Sequence, residues 1–129
     1  MKKKMAVGMA LLAFMYSFPL VSCSSEVSYQ RLTSEQAKAM MVDNDSYVLL
    51  DVRTDEEFSA GHIEGAILIP DYEIESRAGA ELPDKKVLIL IYCRSGRRSE
   101  IAARRLIDMG YTNVYDFGGI IEWPYEIVN

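Results

Sequence analysis

Cys93-Arg94-Ser95-Gly96-Arg97-Arg98-Ser99 is where this chain concentrates reactive chemistry. The segment follows an apolar run, Val87 to Tyr92, and precedes a helical pattern, Glu100 to Met109. A cysteine therefore stands at the carboxyl end of a buried strand, on a short loop with one glycine and three arginines, with a helix directly behind. Backbone N–H groups of such a loop and the positive end of the helix converge on one point and favour negative charge there. The arginines add to that field. The expected product is a thiolate, the nucleophilic form of cysteine.

The elements that position the loop are legible around it. Thr33-Ser34-Glu35-Gln36 has capping-box spacing and opens a helix with Ala37, Met40 and Met41 on its apolar face. Tyr47 to Val52 reads as a buried strand ending at Asp51 and Arg53. Thr54-Asp55-Glu56-Glu57 is a second capping box for a short helix through Phe58, and Gly61 to Ala66 is a turn. Ile67 to Ile69 is a strand stopped by Pro70, and Asp71 to Ala80 forms another helix. After the turn at Leu82-Pro83-Asp84 come the Val87 strand and a helical stripe of Ile101, Ala102, Arg105, Leu106 and Met109, with Gly110 as C-cap. Asn113 to Phe117 is a last short strand, and Gly118-Gly119 turns toward Trp123. Alternating strands and helices imply an α/β domain with a parallel sheet covered on both faces, and ligands at the carboxyl ends of the strands. Asp51 and Cys93 both fall at that edge. The seven methionines read as signal residues and core filler, not as a metal-binding set.

Residues 1–22 read as an export signal, with Lys2-Lys3-Lys4 followed by an apolar stretch from Met5 to Val21. That stretch is short for a membrane span and is broken by Gly8 and Pro19. Leu20-Val21-Ser22-Cys23 resembles the bacterial lipobox, which implies lipidation of Cys23 as the new N-terminus, a lipidated tether over residues 23–28 and the folded domain over residues 29–129. The resemblance places the protein in the cell envelope, facing the periplasm and held to a membrane through the lipid on Cys23; the residue after it, Ser24, is not the aspartate of inner-membrane retention. Removal of the signal takes away three lysines and no acid, leaving 11 basic and 19 acidic side chains and a net charge of −8. Such a domain has no general attraction to nucleic acid or anionic lipid. Its three loop arginines instead suit a small anion. The mature chain would hold a single unmodified thiol, Cys93, in an oxidising compartment. A loop so rich in arginine and serine is a poor place to bury an inert one.

Several segments together resemble the rhodanese family. Asp51-Val52-Arg53, Glu57-Phe58, Gly61-His62-Ile63, Gly65-Ala66 and Ile69-Pro70 match its N-terminal signature. Tyr92 to Ser99 matches its active-site loop, and Gly110-Tyr111, Val114, Gly118-Gly119 and Trp123 match its C-terminal signature. The resemblance implies a rhodanese-like, five-stranded parallel sheet with helices on both faces, and transfer of sulfane sulfur through a persulfide on Cys93. The donor is a small anion such as thiosulfate, and the acceptor is cyanide, a thiol or a protein. No metal and no organic cofactor are implied. On this reading Arg94, Arg97 or Arg98 holds the donor's oxyanion end, with Ser95 part of the same cradle. Gly96 lets the loop curl, and Ser99 begins or caps the helix with its hydroxyl near the sulfur. Asp51 and Arg53 tie the loop edge together as a salt-linked network. His62 has a structural role, Trp123 is a packing residue and Glu64 is a surface charge.

Three other functions compete. A cysteine phosphatase or arsenate reductase needs five residues between cysteine and arginine, whereas four separate Cys93 from Arg98 and Ser99 occupies the next position. A non-catalytic binding module of this family would commonly lack the cysteine. A membrane-tethered sulfur carrier differs from the transferase in its acceptor, not in its chemistry.

Overall fold

The computed structural model describes residues 26–129 together with Ser17, Pro19 and Leu20. Most of the expected signal, and Cys23 with it, lies outside the described residues. No helix among the described residues is long and apolar enough to cross a membrane.

Five parallel strands form one sheet: β1 (Gln30–Arg31), β2 (Val48–Asp51), β3 (Ile67–Leu68), β4 (Ile89–Cys93) and β5 (Val114–Gly119), in the order β1-β5-β4-β2-β3. Between them run α1 (Ser34–Asp43), α2 (Asp55–Ala60), α3 (Ile74–Glu81) and α4 (Arg97–Asp108). Side chains of a strand alternate between the two faces of a sheet. Ile89, Ile91 and Cys93 accordingly join one core cluster, with Ala102, Ala103 and Leu106 of α4 and Ile74 and Ala78 of α3. Leu90 and Tyr92 join the other, with Ala37 of α1, Phe117 and Trp123. Helices therefore cover both faces, and the middle strand, buried on both sides, reads in sequence as an unbroken apolar run. Ile89, Leu90 and Ile91 are fully buried, and each contributes about 1.5–3 kcal/mol. The strand that delivers Cys93 is thus the most deeply embedded one.

Both capping boxes form. Thr33 and Thr54 accept the N3 amides of Gln36 and Glu57, whose side chains return to the cap amides. The helix predicted from Asp71 begins instead as a 3₁₀ turn, Asp71–Glu73. Three further readings are corrected. The helix after the cysteine starts at Arg97, three residues before the expected Glu100, because the left-handed Gly96 already turns the chain into it. Gly118 and Gly119 do not leave the last strand; they end it, and Gly119 pairs with Cys93. Ala102, Leu106 and Met109 of the expected α4 stripe pack on the core, but Ile101 is exposed and Ala103 is buried in its place. The two-residue β1 carries no apolar pattern, since both its residues are exposed and only its backbone pairs with Tyr115 and Asp116.

Candidate active site

Parallel strands bring Asp51 and Cys93 to the same carboxyl edge, as expected. The loop backbone then closes over the sulfur. Gly96 adopts φ +108°, a conformation that glycine reaches without the steric cost a side chain would impose, and its N–H donates to Cys93 Sγ at 3.0 Å. Ser99 is completely buried in the first turn of α4, not at its cap. Its Oγ lies 3.5 Å from Sγ and donates toward the Gly96 carbonyl at 3.0 Å. The sulfur therefore sits ahead of a helix N-terminus, within reach of one backbone donor and one hydroxyl. Cys93 itself is only 1% exposed. This corrects the expectation that the loop cannot bury a thiol: its charged side chains point outward while its backbone covers the sulfur.

A second glycine makes the closure possible. A Cβ on Gly119 would overlap the Arg94 carbonyl and stand 2.7 Å from Ser95 Cα. The Cys93 loop thus lies directly on the backbone of β5. Asp116 fixes that support from below, its buried carboxylate accepting the Gly118 N–H at 2.9 Å. Burial raises the Asp116 carboxyl above its ordinary value, and the bond from Gly118 offsets only part of the rise.

The three arginines separate. Arg98 is half-buried and its guanidinium grips Glu57 through two bonds, 2.9 and 3.0 Å. That contact holds the Glu57 carboxyl below the usual carboxylate range and raises Arg98 in turn. Arg94 and Arg97 are exposed, and among the described residues neither forms a salt bridge. Ser95 is exposed beside them. Glu57 is the residue that sequence reasoning missed in this role. Its place as N3 of a capping box was visible, but one carboxylate serves both the cap of α2 and Arg98, and only the fold brings them together.

Asp51 and Arg53 do form a buried ion pair, 2.7 Å between Nη2 and Oδ2. The guanidinium also donates to the Gly61 carbonyl at 2.7 Å. The pair therefore secures the end of α2 and lies beside Tyr92, the residue before Cys93, with the Arg53 guanidinium 5.7 Å from its ring centroid. His62 stacks on Phe58 with ring centroids 3.8 Å apart, and its Nδ1 lies 2.9 Å from the Phe58 carbonyl. Its backbone pairs with Val128. Trp123 is buried against Phe117 and Tyr125, and Glu64 is exposed. Among the described residues no cluster of histidine, cysteine and acidic side chains is arranged to hold a metal.

The chain matches a family model over residues 33–125, described as a rhodanese-like domain. It is 41% identical over 71 residues to the thiosulfate sulfurtransferase PspE of Escherichia coli, covering 55% of this chain and 68% of that protein. Identity to a sulfurtransferase of Allochromatium vinosum is 37% over 93 residues, covering 71% of this chain and 85% of that one. Among solved structures, a rhodanese with anions from E. coli aligns with a TM-score of 0.61 and 36% identity, covering 65% of this chain and 99% of its own. With its sheet order, its cysteine loop and these similarities in agreement, the chain belongs to the rhodanese-like family, among sulfurtransferase relatives.

Proposed function

We propose that this protein transfers sulfane sulfur from thiosulfate, or a similar anionic donor, to cyanide or a thiol through a persulfide on Cys93. The observation that carries the reading is the seat of Cys93 Sγ: the Gly96 N–H at 3.0 Å, the start of α4 behind it and, on the same loop, two exposed arginines that form no salt bridge among the described residues. The Cys93 thiolate attacks the outer sulfur of thiosulfate, whose S–S bond breaks and releases sulfite. The persulfide anion that forms keeps its charge, and the loop amide and helix terminus favour that charge in both states. Arg94 and Arg97 are the residues free to pair with the donor's oxyanion, because Glu57 already occupies Arg98.

The test is the intact mass of the domain before and after thiosulfate, alongside Cys93→Ser. Gain of one sulfur atom, lost on adding cyanide and absent from the variant, is the expected result. No gain in the unaltered protein would overturn the assignment.

The lipobox-like Leu20-Val21-Ser22-Cys23 supports a further part of the proposal: the domain works in the cell envelope, tethered to a membrane by lipid on Cys23. Cys23→Ala should release it into the soluble fraction with transfer intact. Membrane retention of that variant would refute the anchor.

A further inference from the structure

Cys93 must shed a proton before it attacks, yet its sulfur is buried and shut off from solvent. The thiol donates to Ser99 Oγ at 3.5 Å, and Ser99 is itself completely buried. That hydroxyl has three acceptors in reach: the Gly96 carbonyl at 3.0 Å, the Gly118 carbonyl at 3.4 Å and the Asp116 carboxylate. Of these, the carboxylate is the group that takes up a proton in ordinary water. Asp116 stands in register with Ile91, two residues before Cys93. Strand alternation from Val114 puts it on the face that Ile91 and Cys93 share under α4. One residue of β5 ties it to the hydroxyl. The Gly118 N–H donates to Asp116 Oδ1 at 2.9 Å, and the carbonyl of the same glycine faces Ser99 Oγ.

The other charges facing Asp116 cancel. Arg31 from β1 and Arg97 from α4 stand against Glu100 from α4 and Glu122 beyond β5, all lining one open cavity of about 440 Å³ with Asp116. On the sulfur's side, Arg98 of α4 is answered by Glu57 of α2, Asp71 lies beyond it, and Arg94 is exposed. Burial disfavours the Asp116 carboxylate, and a negative charge on Cys93 disfavours it further. Resting on the reading of Cys93 as the transferring thiol, we propose that Cys93 and Asp116 share one proton through Ser99, so that Asp116 is neutral while the sulfur is charged. The Cys93 S–H proton passes to Ser99 Oγ as the Ser99 O–H proton passes to the Asp116 carboxylate. The electron pair of the S–H bond stays on sulfur, Asp116 becomes a carboxylic acid, and the net charge is unchanged. Negative charge thus leaves a buried carboxylate for a sulfur that faces the Gly96 N–H and the start of α4. The cavity gives Asp116 its exchange with water. Asp116 never touches the donor; it is a positioning residue that acts through Ser99 and Cys93.

The experiment titrates the thiolate by its ultraviolet absorbance across the acid and neutral range, as the difference between the full chain and Cys93→Ser. Two groups that share a proton ionise in two steps that belong to the pair. The unaltered protein should therefore gain thiolate in two steps with a plateau between them, separated by more than about one pH unit, or tenfold in proton concentration. Asp116→Asn keeps an oxygen for the Gly118 N–H and removes the second charge. It should titrate in a single step, at least about tenfold in proton concentration below the upper step of the unaltered protein. Ser99→Ala should narrow the gap, because the hydroxyl has one proton and serves one anion at a time. A single step in the unaltered protein overturns the inference, as does a pair of steps that survives Asp116→Asn or a gap that Ser99→Ala leaves unchanged. A purely structural role for Asp116 would alter urea unfolding and leave the number of steps as it was. Intact mass after thiosulfate, taken on the same protein, keeps the two readings apart: loading with a single step leaves sulfur transfer standing and removes the shared proton, whereas failure to load overturns the transfer reading itself.

Discussion

Gly119→Ala is the sharpest perturbation this structure offers, because the added methyl meets backbone on every near side. It would overlap the Arg94 carbonyl and press on Ser95 Cα at 2.7 Å. Real Cβ contacts stay beyond about 3.0 Å, and no flexible side chain stands there to yield. The Cys93 loop must therefore lift by on the order of an ångström, a displacement that can cost about a hundredfold in a positioned reaction. The same shift removes the Gly96 N–H from its 3.0 Å contact with Sγ. Overpacking of this kind costs about 1–3 kcal/mol in stability. The neighbouring glycine supplies the control: a Cβ on Gly118 meets nothing within 4 Å, but its φ of +87° is strained for any side chain. Gly118→Ala should therefore lose about 1 kcal/mol through backbone conformation. Urea unfolding with single-turnover loading by thiosulfate separates the two. Gly119→Ala is expected to lose loading rate far beyond its stability loss, and Gly118→Ala to lose mainly stability. Loading by Gly119→Ala within twofold of the unaltered protein would refute the claim that β5 holds the loop in register.

Removing each arginine tests which one meets the donor. Arg94→Ala should raise KM for thiosulfate about tenfold, while Arg98→Ala, already engaged by Glu57, should raise it less than about threefold; the reverse order in steady-state kinetics would move the anion site to Arg98. Glu57→Gln keeps a side chain able to cap α2 but breaks the ion pair, and at its partial exposure the loss at neutral pH should be about 0.5–1 kcal/mol. Because Arg98 holds the Glu57 carboxyl below its ordinary value, this stability is present above about pH 4.3 and is lost as pH falls through the folded-state value. Urea midpoints across the acid range should thus fall more steeply in the unaltered protein, and parallel curves would show the pair to contribute nothing. Asp116 has the opposite sign: burial raises its carboxyl, so its ionised form opposes folding at neutral pH. Asp116→Asn should leave stability unchanged or raise it by up to about 1 kcal/mol, and a loss larger than that would mean the negative charge itself is used.

The sheet and its reactive edge were legible because their signals are local. An apolar run followed by Cys-x-x-Gly reports a buried strand, a tight loop and a helix start within a dozen residues, and the Thr33 and Thr54 boxes each announce a helix. What stayed hidden depends on contacts across the chain. Nothing near Gly119 shows that Arg94 will lie on it, and nothing near Glu57 shows that Arg98, 41 residues on, will claim its carboxylate. Gln30–Arg31 was invisible for another reason: an edge strand held by backbone bonds alone leaves no side-chain pattern. The start of α4 is hard to read because Gly96 has two roles at once, as the turn of the loop and as the residue from which the helix begins.

The burial of Cys93 within the central strand also makes the thiol a gauge of the molecule's own opening. At 1% exposure, flanked by β2 and β5, the sulfur cannot meet a bulky disulfide or maleimide unless the loop lifts or the sheet comes apart. The rate of modification by a large reagent then follows the free energy of opening, as amide hydrogen exchange does, while a slender reagent such as peroxide needs a smaller opening. The ratio of the two rates measures how often this protein unlocks its nucleophile.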